Sequence, residues 1–580
     1  GALNFDSGWN VNNRATVRSQ TLGKGISVRA KSLVTLATNN SFVTNKGPIT
    51  LWADSDVNNF GYVFMETGSS LNSVNATAMP TNRATTLAVT DGGKIVVGGG
   101  APDTNDSTIP GGYAQSNTSA VAGVDMRRDT RIYSGGGDVS IRGRALTGTN
   151  GWRAGITMWA NSQINSGTGK IYLEGDSVGN TGTWNAGIEL NLENSCVNTA
   201  TRLAITSANN DTVNPAITMI GRAGSSTASN GITNHCTSST GTDVTIQALG
   251  TGGISLIGST QNTGEYGIDL NSTNVLARSG KIRLDGGLNG VATGSNIGVS
   301  AGRTTFGSCV NDCGTQDFGF DAAAVSSSDI EIFGDRIVLN ANNALNRFNT
   351  TGNVSILPSN QSTKRWTADV DFYFTMPTTI ASFTAGYDLG AATNARVFKT
   401  RNAITSNGAI KMFADVVDIF GNLRTTTLGA KILLKASQYV YTGGITVTTN
   451  KGPLILWSDS NQASVPGGDV ALGANTVLNT ANGATIPTTT ANVAAAVDGG
   501  EIVMAGGPAS QTDAEMPAGF SFTNGNWPGI RLEAGSRVYS GGGNITIKAQ
   551  TQANISNHWI GAVRIHQNTV INSGAGEIYI

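Results

Sequence analysis

The sequence contains few charged, proline or aromatic residues. Only 13% of its 580 residues are charged, against a typical share of roughly 25%, and the chain has 13 prolines and 6% aromatic residues. The 37 Lys and Arg residues are balanced by 38 Asp and Glu residues. Chains that bind nucleic acid or anionic membranes usually carry clustered Lys and Arg, and this sequence has no such cluster. We therefore expect no nucleic-acid partner.

Long apolar runs are also missing. No stretch of 18 or more apolar residues occurs, so the sequence predicts no membrane-spanning segment in this window. Disorder requires low hydrophobicity and high net charge, whereas 39% of the residues here are hydrophobic and the formal net charge is -1. Asn, Thr, Ser and 76 Gly residues take the place of charged residues. We expect a folded chain with a nearly neutral, polar surface.

The most informative feature that is present is a long internal repeat. Residues 1 to about 175 return from about 406 onward with an offset of 405 to 407: Asn45–Ile49 returns as Asn450–Leu454, and Arg131–Gly137 as Arg537–Gly543. Shifts of one residue are tolerated in surface turns. The sequence therefore predicts a first copy in two parts, 1–175 and 176–405, and a truncated second copy, 406–580. We expect the chain to be a window of a longer tandem array.

Short runs with apolar residues at every second position recur along the chain and predict strands with one buried face. They are Lys94–Val97, Asp138–Ile141, Lys170–Leu173, Val244–Ile246, Ile254–Leu256, Lys281–Leu284, Asp329–Ile332 and Val354–Ile356. Gly, Asn and Ser flank these runs and supply turn positions. No segment has a capped period of 3.6 residues, so we predict an all-β chain with little or no helix.

A finer pattern defines the fold. Residues 155–175 and 267–286 each contain three short strands separated by turns, which makes one coil of an elongated parallel β-helix with 20 to 30 residues per coil. A sandwich array would repeat at about 100 residues and a propeller at about 40 to 50. Within the coil, Ile171 and Leu173 are predicted to point into the core and Lys170 outward.

The same pattern carries a family resemblance. Gly-x-Ile-x-Leu, a short Asn or Ser turn, Ser-Gly-x-Gly and Ile-x-Leu-x-Gly occur in residues 91–100, 155–175, 267–286 and 561–580. This pattern resembles the repeats of large filamentous-haemagglutinin-like exoproteins. The resemblance implies a secreted, right-handed parallel β-helix that acts as an adhesin, a filament or a stalk for a distal effector domain.

The four cysteines are Cys196, Cys236, Cys309 and Cys313. The close pair Cys309 and Cys313 lies in a segment of loop composition and predicts a small disulfide-closed loop, with Cys196 and Cys236 forming a second bridge. Zinc sites usually use two close pairs, and only one pair here is close, but a zinc site and free buried thiols stay open as alternatives. Disulfides would indicate an oxidising compartment, such as a bacterial periplasm or cell surface.

Catalytic residues are not evident. A carbohydrate-active β-helix enzyme needs carboxylates with a Lys or Arg at equivalent heights of adjacent coils on one face. Asp56 is replaced by Asn461 in the second copy and Asp125 by Arg531, and turn capping accounts for Asp54. We predict no catalytic residues and no enzymatic activity.

Cofactor and contact sites are equally sparse. We predict no cofactor or metal site, although calcium at Asp-rich and Asn-rich turns stays open because hard cations take oxygen ligands. Trp52 and Trp457 occupy equivalent positions in the two copies. They are either packed core or rim aromatics, or surface residues that stack on a sugar or contact a subunit. The sequence does not separate these interpretations.

Together these features predict an extracellular or cell-surface bacterial fibre segment that mediates attachment. Expected partners are identical chains, end to end or laterally, and a polysaccharide or protein on a host or neighbouring cell surface. The alternatives are a carbohydrate-active β-helix enzyme, such as a lyase or depolymerase, and a stalk for a distal effector domain.

Overall fold

The computed structural model describes residues 1–75, 79–80, 83–117, 122–146, 153–180, 182–192, 203–234, 244–287, 291–293, 304–308, 326–339, 347–359, 364–366, 368–389, 396–461, 468–483, 486, 498–522, 527–551 and 561–580. Contacts divide the chain into unit 1, Gly1–Gly334 with Asn342–Thr350, and unit 2, Asp335–Ala341 with Thr351–Ile580. The boundaries of the sequence repeat at 175 and 405 stay predictions. Cys196, Cys236, Cys309 and Cys313 lie outside the described residues, so their predicted bridges stay predictions as well.

Unit 1 contains 31 strands and the one helix in the described part of the chain. They are β1 Leu3–Ser7, β2 Val11–Asn13, β3 Val17–Ser19, β4 Ile26–Ala30, β5 Val34–Leu36, β6 Ser41–Thr44, β7 Ile49–Ala53, β8 Val63–Met65, β9 Ser70–Asn72, α1 Arg83–Leu87, β10 Ile95–Pro102, β11 Pro110–Gly112, β12 Ala114–Ser116, β13 Val124–Met126, β14 Arg131–Tyr133, β15 Val139–Ala145, β16 Ala154–Trp159, β17 Gln163–Asn165, β18 Ile171–Ser177, β19 Ala186–Leu192, β20 Leu203–Ser207, β21 Ile217–Ala223, β22 Asn230–Asn234, β23 Val244–Ala248, β24 Ile254–Thr260, β25 Ile268–Asp269, β26 Thr273–Ala277, β27 Ile282–Asp285, β28 Val291–Thr293, β29 Thr305–Gly307, β30 Ile330–Phe333 and β32 Arg347–Asn349.

Unit 2 contains the other strands. They are β31 Ile337–Leu339, β33 Asn353–Leu357, β34 Val370–Phe372, β35 Ser382–Ala385, β36 Val397–Thr400, β37 Ile404–Ser406, β38 Ile410–Ile419, β39 Leu423–Thr425, β40 Ile432–Thr442, β41 Thr446–Thr448, β42 Leu454–Ser458, β43 Val470–Leu472, β44 Val477–Asn479, β45 Ile502–Ala509, β46 Pro517–Gly519, β47 Ser521–Phe522, β48 Ile530–Leu532, β49 Arg537–Tyr539, β50 Ile545–Ile547, β51 Ala549–Gln550, β52 Val563–Ile565, β53 Val570–Asn572 and β54 Ile578–Tyr579.

In each unit, equivalent strands of successive coils pair in parallel and form three faces. In unit 1, face A is β1-β4-β7-β10-β15-β18-β21-β24-β27-β30. Face B is β2-β5-β8-β13-β16-β19-β22-β25-β28. Face C is the ten-stranded sheet β3-β6-β9-β14-β17-β20-β23-β26-β29-β32. The prediction of a parallel β-solenoid is confirmed, with 51% strand and 1% helix.

Unit 2 repeats this arrangement. Its face A runs β33-β35-β38-β40-β42-β45-β50-β54, and its face B runs β31-β34-β36-β38-β40-β43-β48-β52. The long strands β38 and β40 take part in both faces and bend at a register shift between Ala414 and Val416. Face C of unit 2 is the six-stranded sheet β37-β39-β41-β44-β49-β53.

The core of unit 1 is built from ladders of similar apolar residues, each stacked on its equivalent one coil away and at most 1% exposed. The ladders are Ile26, Ile49, Ile95, Val139, Ile171, Ile217, Ile254, Ile282 and Ile330 on face A, Val34, Val63, Val124, Ile156, Ile188, Ile232 and Ile268 on face B, and Phe42, Leu71, Ile132, Ile164, Ile205, Ile246, Val275, Phe306 and Phe348 on face C. Burial of each such side chain contributes about 1.5–3 kcal/mol. Every strand predicted from alternating apolar residues is present in the structure.

The predicted length of 20 to 30 residues per coil is wrong for most of these coils. In unit 1 the chain uses 23, 46 and 44 residues between the in-register positions Ile26, Ile49, Ile95 and Val139. The equivalent steps in unit 2 use 22, 48 and 43 residues between Ile432, Leu454, Ile502 and Ile545. Extra residues lie in the connections, because an insertion inside a strand would turn its apolar side chains outward. The matching series shows that the sequence repeat is also a structural repeat.

Glycine pairs allow faces A and B to approach closely. A Cβ atom at Gly175 would lie 1.9 Å from the carbonyl oxygen of Gly187, and one at Gly221 would lie 2.1 Å from that of Gly231. No side chain fits at such a distance, so glycine is required on both strands. This contact explains why glycine directly precedes isoleucine in these strands, because Gly187 and Gly231 come immediately before the core residues Ile188 and Ile232 of face B.

Hydroxyl groups close the turns between faces C and A. Thr44 Oγ1 donates a hydrogen bond to the carbonyl oxygen of Gly47 at 2.5 Å, and Thr449 Oγ1 donates to that of Gly452 at the same distance. These side chains are buried and satisfy carbonyl groups that would otherwise lack a partner. No helix in the described ranges has the length and apolarity needed to cross a membrane.

The core ladder makes a prediction about stability. Ile171 and Leu173 are buried as expected, and Lys170 lies outside, where its Nζ is 2.6 Å from Asp211 Oδ2. Ile171→Asp should lower the free energy of unfolding by about 4 kcal/mol, because it buries an unpaired carboxylate. The measurement is urea unfolding followed by far-UV circular dichroism.

The matched control is Lys170→Gln, which removes only a partly exposed ion pair and should cost less than about 1 kcal/mol. Lys170→Asp is unsuitable as a silent control, since it would place a second carboxylate beside Asp211. Equal midpoints for Ile171→Asp and Lys170→Gln would contradict the assignment of inward and outward positions.

Candidate functional site

Trp52 and Trp457 hold equivalent hairpins against their coils. The Nε1 of Trp52 donates a hydrogen bond to the carbonyl oxygen of Gly100 at 2.9 Å, in the hairpin formed by β10 and β11. The Nε1 of Trp457 donates to the carbonyl oxygen of Gly507, also at 2.9 Å, in the hairpin formed by β45 and β46. Both copies of the repeat therefore build the same contact.

These indole rings are not surface groups. Trp52 is 3% exposed and Trp457 is fully buried, and each ring is covered by a cation: Arg29 lies 4.6 Å from the ring centroid of Trp52, and Lys435 lies 3.9 Å from that of Trp457. The interpretation of Trp52 and Trp457 as surface-contact aromatics is therefore wrong for this structure. Burial leaves no exposed ring face for a sugar, and the packed-aromatic interpretation holds.

A different surface in unit 1 has the properties of a binding site. Residues of four neighbouring strands of face C, all of them outward except the core residue Leu71, enclose a groove of about 410 Å³ together with the segment after β9. We call it the face C groove, and its lining residues are Arg18, Ser41, Val43, Ser70, Leu71, Asn72, Asn75, Met79, Arg131 and Tyr133. Its volume falls within the range of small-molecule sites, roughly 300–1,000 Å³.

Strand register brings these residues together. Arg18, Val43, Asn72 and Tyr133 occupy one position on β3, β6, β9 and β14. Because side chains alternate along a strand, they point away from the core ladder formed by their neighbours on the same strands. Equivalent strands lie about 4.8 Å apart, so residues that are distant in sequence form one continuous line.

The electrostatics of the groove favour an anion. Its lining contains two arginines and, among the described residues, no Asp or Glu. Both arginines are exposed, and neither forms an ion pair within the described ranges. Arg18 Nη1 donates a hydrogen bond to Asn75 Oδ1 at 3.2 Å, which positions one guanidinium at the rim. Asn72 Oδ1 accepts a hydrogen bond from the backbone N–H of Val74 at 3.1 Å.

Unit 2 carries the same arginine, asparagine and tyrosine in the same register. Arg424, Thr448, Asn479 and Tyr539 occupy one position on β39, β41, β44 and β49, as Arg18, Val43, Asn72 and Tyr133 do in unit 1. The second arginine is also repeated, since Arg537 corresponds to Arg131. Sequence analysis used Arg131 and Arg537 only as markers of the repeat. Their identity in both copies, at exposed positions, was the signal that could have identified a site.

A second unusual feature of unit 1 is a line of buried acids on face B. Asp125, Thr157, Glu189, Thr233 and Asp269 occupy one register position on successive strands. The three acidic side chains are only 2–3% exposed. Arg127 Nη2 lies 3.0 Å from Asp125 Oδ2, and the Nε1 of Trp159 donates to Asp125 Oδ1 at 3.0 Å. Carboxylates at equivalent heights beside an arginine are the feature that we expected of a carbohydrate-active enzyme.

Burial changes the acidity of these groups. It raises the pKa of Asp125 to about 6, although Arg127 and Trp159 act in the opposite direction. Burial, with a smaller contribution from the negative charge of Asp125, raises the pKa of Glu189 to about 8. Asp125 is therefore ionised at neutral pH, while Glu189 retains its proton.

Asp54 has the structural role that the sequence suggested. Its Oδ1 accepts hydrogen bonds from the backbone N–H groups of Asn58 at 3.0 Å and Phe60 at 3.3 Å, and its Oδ2 accepts one from Gln115 Nε2 at 3.0 Å. It is fully buried and caps a turn. No group of three or more His, Cys, Asp or Glu side chains suited to a metal ion occurs in the described part of the chain.

The buried acid Asp125 makes a prediction about pH. Its carboxyl retains a proton up to about pH 6 in the folded protein but only up to about 3.8 in the unfolded chain. Stability should therefore fall as the pH rises between these values, by about 3 kcal/mol in total, and become independent of this group above them. Urea unfolding at a series of pH values measures the slope. Asp125→Asn should remove that contribution and abolish a change in Trp159 fluorescence centred near pH 6. Identical profiles for both proteins would contradict the assignment.

We compared the chain with protein-family models, curated protein sequences and solved structures, and nothing matched.

Proposed function

We propose that this chain is a segment of an extracellular or cell-surface β-solenoid fibre that mediates attachment by binding anionic polysaccharide in its face C grooves. The observation that carries this proposal is the recurrence of the two arginines, one asparagine and the tyrosine in the same register in both units. Core positions must be repeated for the fold, but exposed arginines need not be. Their recurrence indicates selection for a surface function.

The chemistry of the groove matches acidic sugars. A guanidinium group binds a carboxylate or a sulfate through two parallel hydrogen bonds, and Asn side chains donate to hydroxyl and carboxyl oxygens. Met79 is partly exposed and supplies apolar surface against which a sugar ring can pack. Because the lining has no described acid, an anionic ligand meets no repulsion from it.

Repetition strengthens such binding. A single groove offers a few polar contacts, whereas a chain with several grooves binds a polymer at several points, and the effective concentration raises the overall affinity. This matches the resemblance to filamentous-haemagglutinin-like exoproteins, which is itself part of the proposal. Association with identical chains, end to end or laterally, belongs to the same proposal.

The proposal predicts that the intact chain binds heparin and polygalacturonate but not neutral dextran in a biolayer interferometry assay. Substituting Arg18, Arg131, Arg424 and Arg537 together with alanine should lower the affinity by at least tenfold and reduce its dependence on salt. Each pair of substitutions, confined to one unit, should give an intermediate loss.

The matched control is Arg14→Ala with Lys31→Ala, which removes two exposed positive charges outside the groove. It should change the affinity less than twofold. An equal loss in this control would show that binding is a general charge effect, and the absence of binding by the native chain would refute the groove as an anion site.

A carbohydrate-active enzyme is the second candidate, favoured by the buried acid line of face B. Asp125 and Glu189 lie two strand spacings apart, about 9.6 Å, and their pKa values differ as those of a base and an acid should. However, the cavity beside Glu189 has a volume of only about 30 Å³ and does not admit a sugar ring. This burial is why we propose attachment rather than cleavage.

An activity assay separates the two candidates. Incubation of the intact chain with polygalacturonate, hyaluronan and alginate should release no reducing ends and no unsaturated products. Cleavage that is lost in both Asp125→Asn and Glu189→Gln would replace the attachment proposal with the enzymatic one.

A further inference from the structure

The two arginines of the face C groove lie at opposite corners of it. Arg18 is on β3 and Arg131 is on β14, and these strands are separated by three strand spacings, about 14 Å. Arg131 also lies two residues earlier in the register, beside Ser70 rather than Asn72. The outward positions on the two strands between them are uncharged; they are Ser41, Val43, Ser70 and Asn72. The groove therefore has a cation at each of two corners and a neutral centre.

A hydrogen bond keeps the two guanidinium groups apart. The Nη1 of Arg18 donates to the Oδ1 of Asn75 at 3.2 Å, and Asn75 follows the end of β9, three residues beyond Asn72. Arg18 therefore extends toward the side of the groove where β9 ends, whereas Arg131 is the first residue of β14 and lies on the opposite side. One carboxylate or sulfate at either corner thus contacts one arginine.

Unit 2 preserves this separation. Arg424 is on β39 and Arg537 is on β49, again three strand spacings apart, with Arg537 two residues earlier in the register. Asn482, the counterpart of Asn75, has the same left-handed φ of 56°. The outward positions between the arginines are again uncharged; they are Thr446, Thr448, Val477 and Asn479. Only the asparagine among these four is identical in the two units, so the spacing of the charges is kept while most residues between them vary.

Two separated cations select a ligand with two separated anionic groups. A guanidinium group binds one carboxylate or sulfate through two parallel hydrogen bonds. A single exposed ion pair contributes little to binding, because water and salt screen it. Once one anionic group of a ligand is bound, a second group on the same ligand meets the other arginine at a high effective concentration.

We propose that the face C groove recognises an acidic oligosaccharide through two anionic groups at once, one on Arg18 and one on Arg131, with the intervening sugar units over the neutral centre. Arg424 and Arg537 do the same in unit 2. This inference rests on the proposed attachment function and specifies its ligand. A single uronic acid carries one carboxylate and reaches one corner, so the smallest effective ligand is an oligomer that spans the groove.

The test uses the intact chain with Arg424→Ala and Arg537→Ala, so that only the groove of unit 1 keeps its arginines. Galacturonic acid and its linear oligomers of two to six units compete with immobilised polygalacturonate in the biolayer interferometry assay. We expect one step in this series at which the affinity rises at least tenfold, where the ligand first reaches both arginines. A gain that is only proportional to the number of units would refute recognition at two points.

Single substitutions in the same background assign the step. Arg18→Ala and Arg131→Ala should each abolish it and change the affinity for galacturonic acid less than about twofold. Asn75→Ala, which releases Arg18, should lower the step without changing the affinity for galacturonic acid. Arg18→Lys keeps the charge and should restore part of the step, which separates loss of the contact from a folding defect. A step that survives both Arg18→Ala and Arg131→Ala would refute the assignment.

Failure of this inference is distinguishable from failure of the proposed function. If the native chain binds polygalacturonate and loses that binding in the fourfold alanine variant, but the series shows no step, attachment stands and recognition at two points is wrong. If the native chain does not bind polygalacturonate, both are wrong.

Discussion

The parallel hydrogen-bonded ladder between successive coils is the constraint on which the rest of the structure depends. Each strand fixes the register of the next at about 4.8 Å, so similar residues must stack inside, as the isoleucines of face A do. A shift of one residue would turn the core outward. Length variation is therefore confined to the connections, and coils of 22 and 48 residues coexist in unit 2. The glycine pairs between faces A and B serve the same constraint, because they bring the two sheets close enough to share one core.

The same ladder also determines which outward residues become neighbours. It collects outward residues from distant parts of the chain into lines: an exposed line with Arg18 and Asn72 on face C, and a buried line with Asp125 and Glu189 on face B. The two lines differ in how deeply they are buried and in the space beside them. The groove of about 410 Å³ has room for part of a polymer, whereas the cavity of about 30 Å³ has room for about two waters.

Much of the fold was predictable, because strand position depends on local alternation. The runs at Ile171 and Ile254 identified their strands, and flanking glycines identified the corners. Coil length was not predictable, since it depends on insertions that carry no periodic signal. The groove was not predicted either, because its members become neighbours only once the register of four coils is known. Trp457 shows the reverse problem: its repetition suggested a surface role, but the hairpin and Lys435 that cover it come from other coils.

The indole-to-hairpin contact occurs twice with the same donor, the same acceptor type and a cation over the ring. Such identity has a genetic consequence. A genetic crossover between the two copies within the segment that encodes this contact would leave each coil next to a coil of the kind it already packs against. Whole copies can therefore be gained or lost without disturbing the packing. The number of copies in the chain is then adjustable by unequal recombination in whole-copy steps, while the fold and the strand register within each copy stay the same.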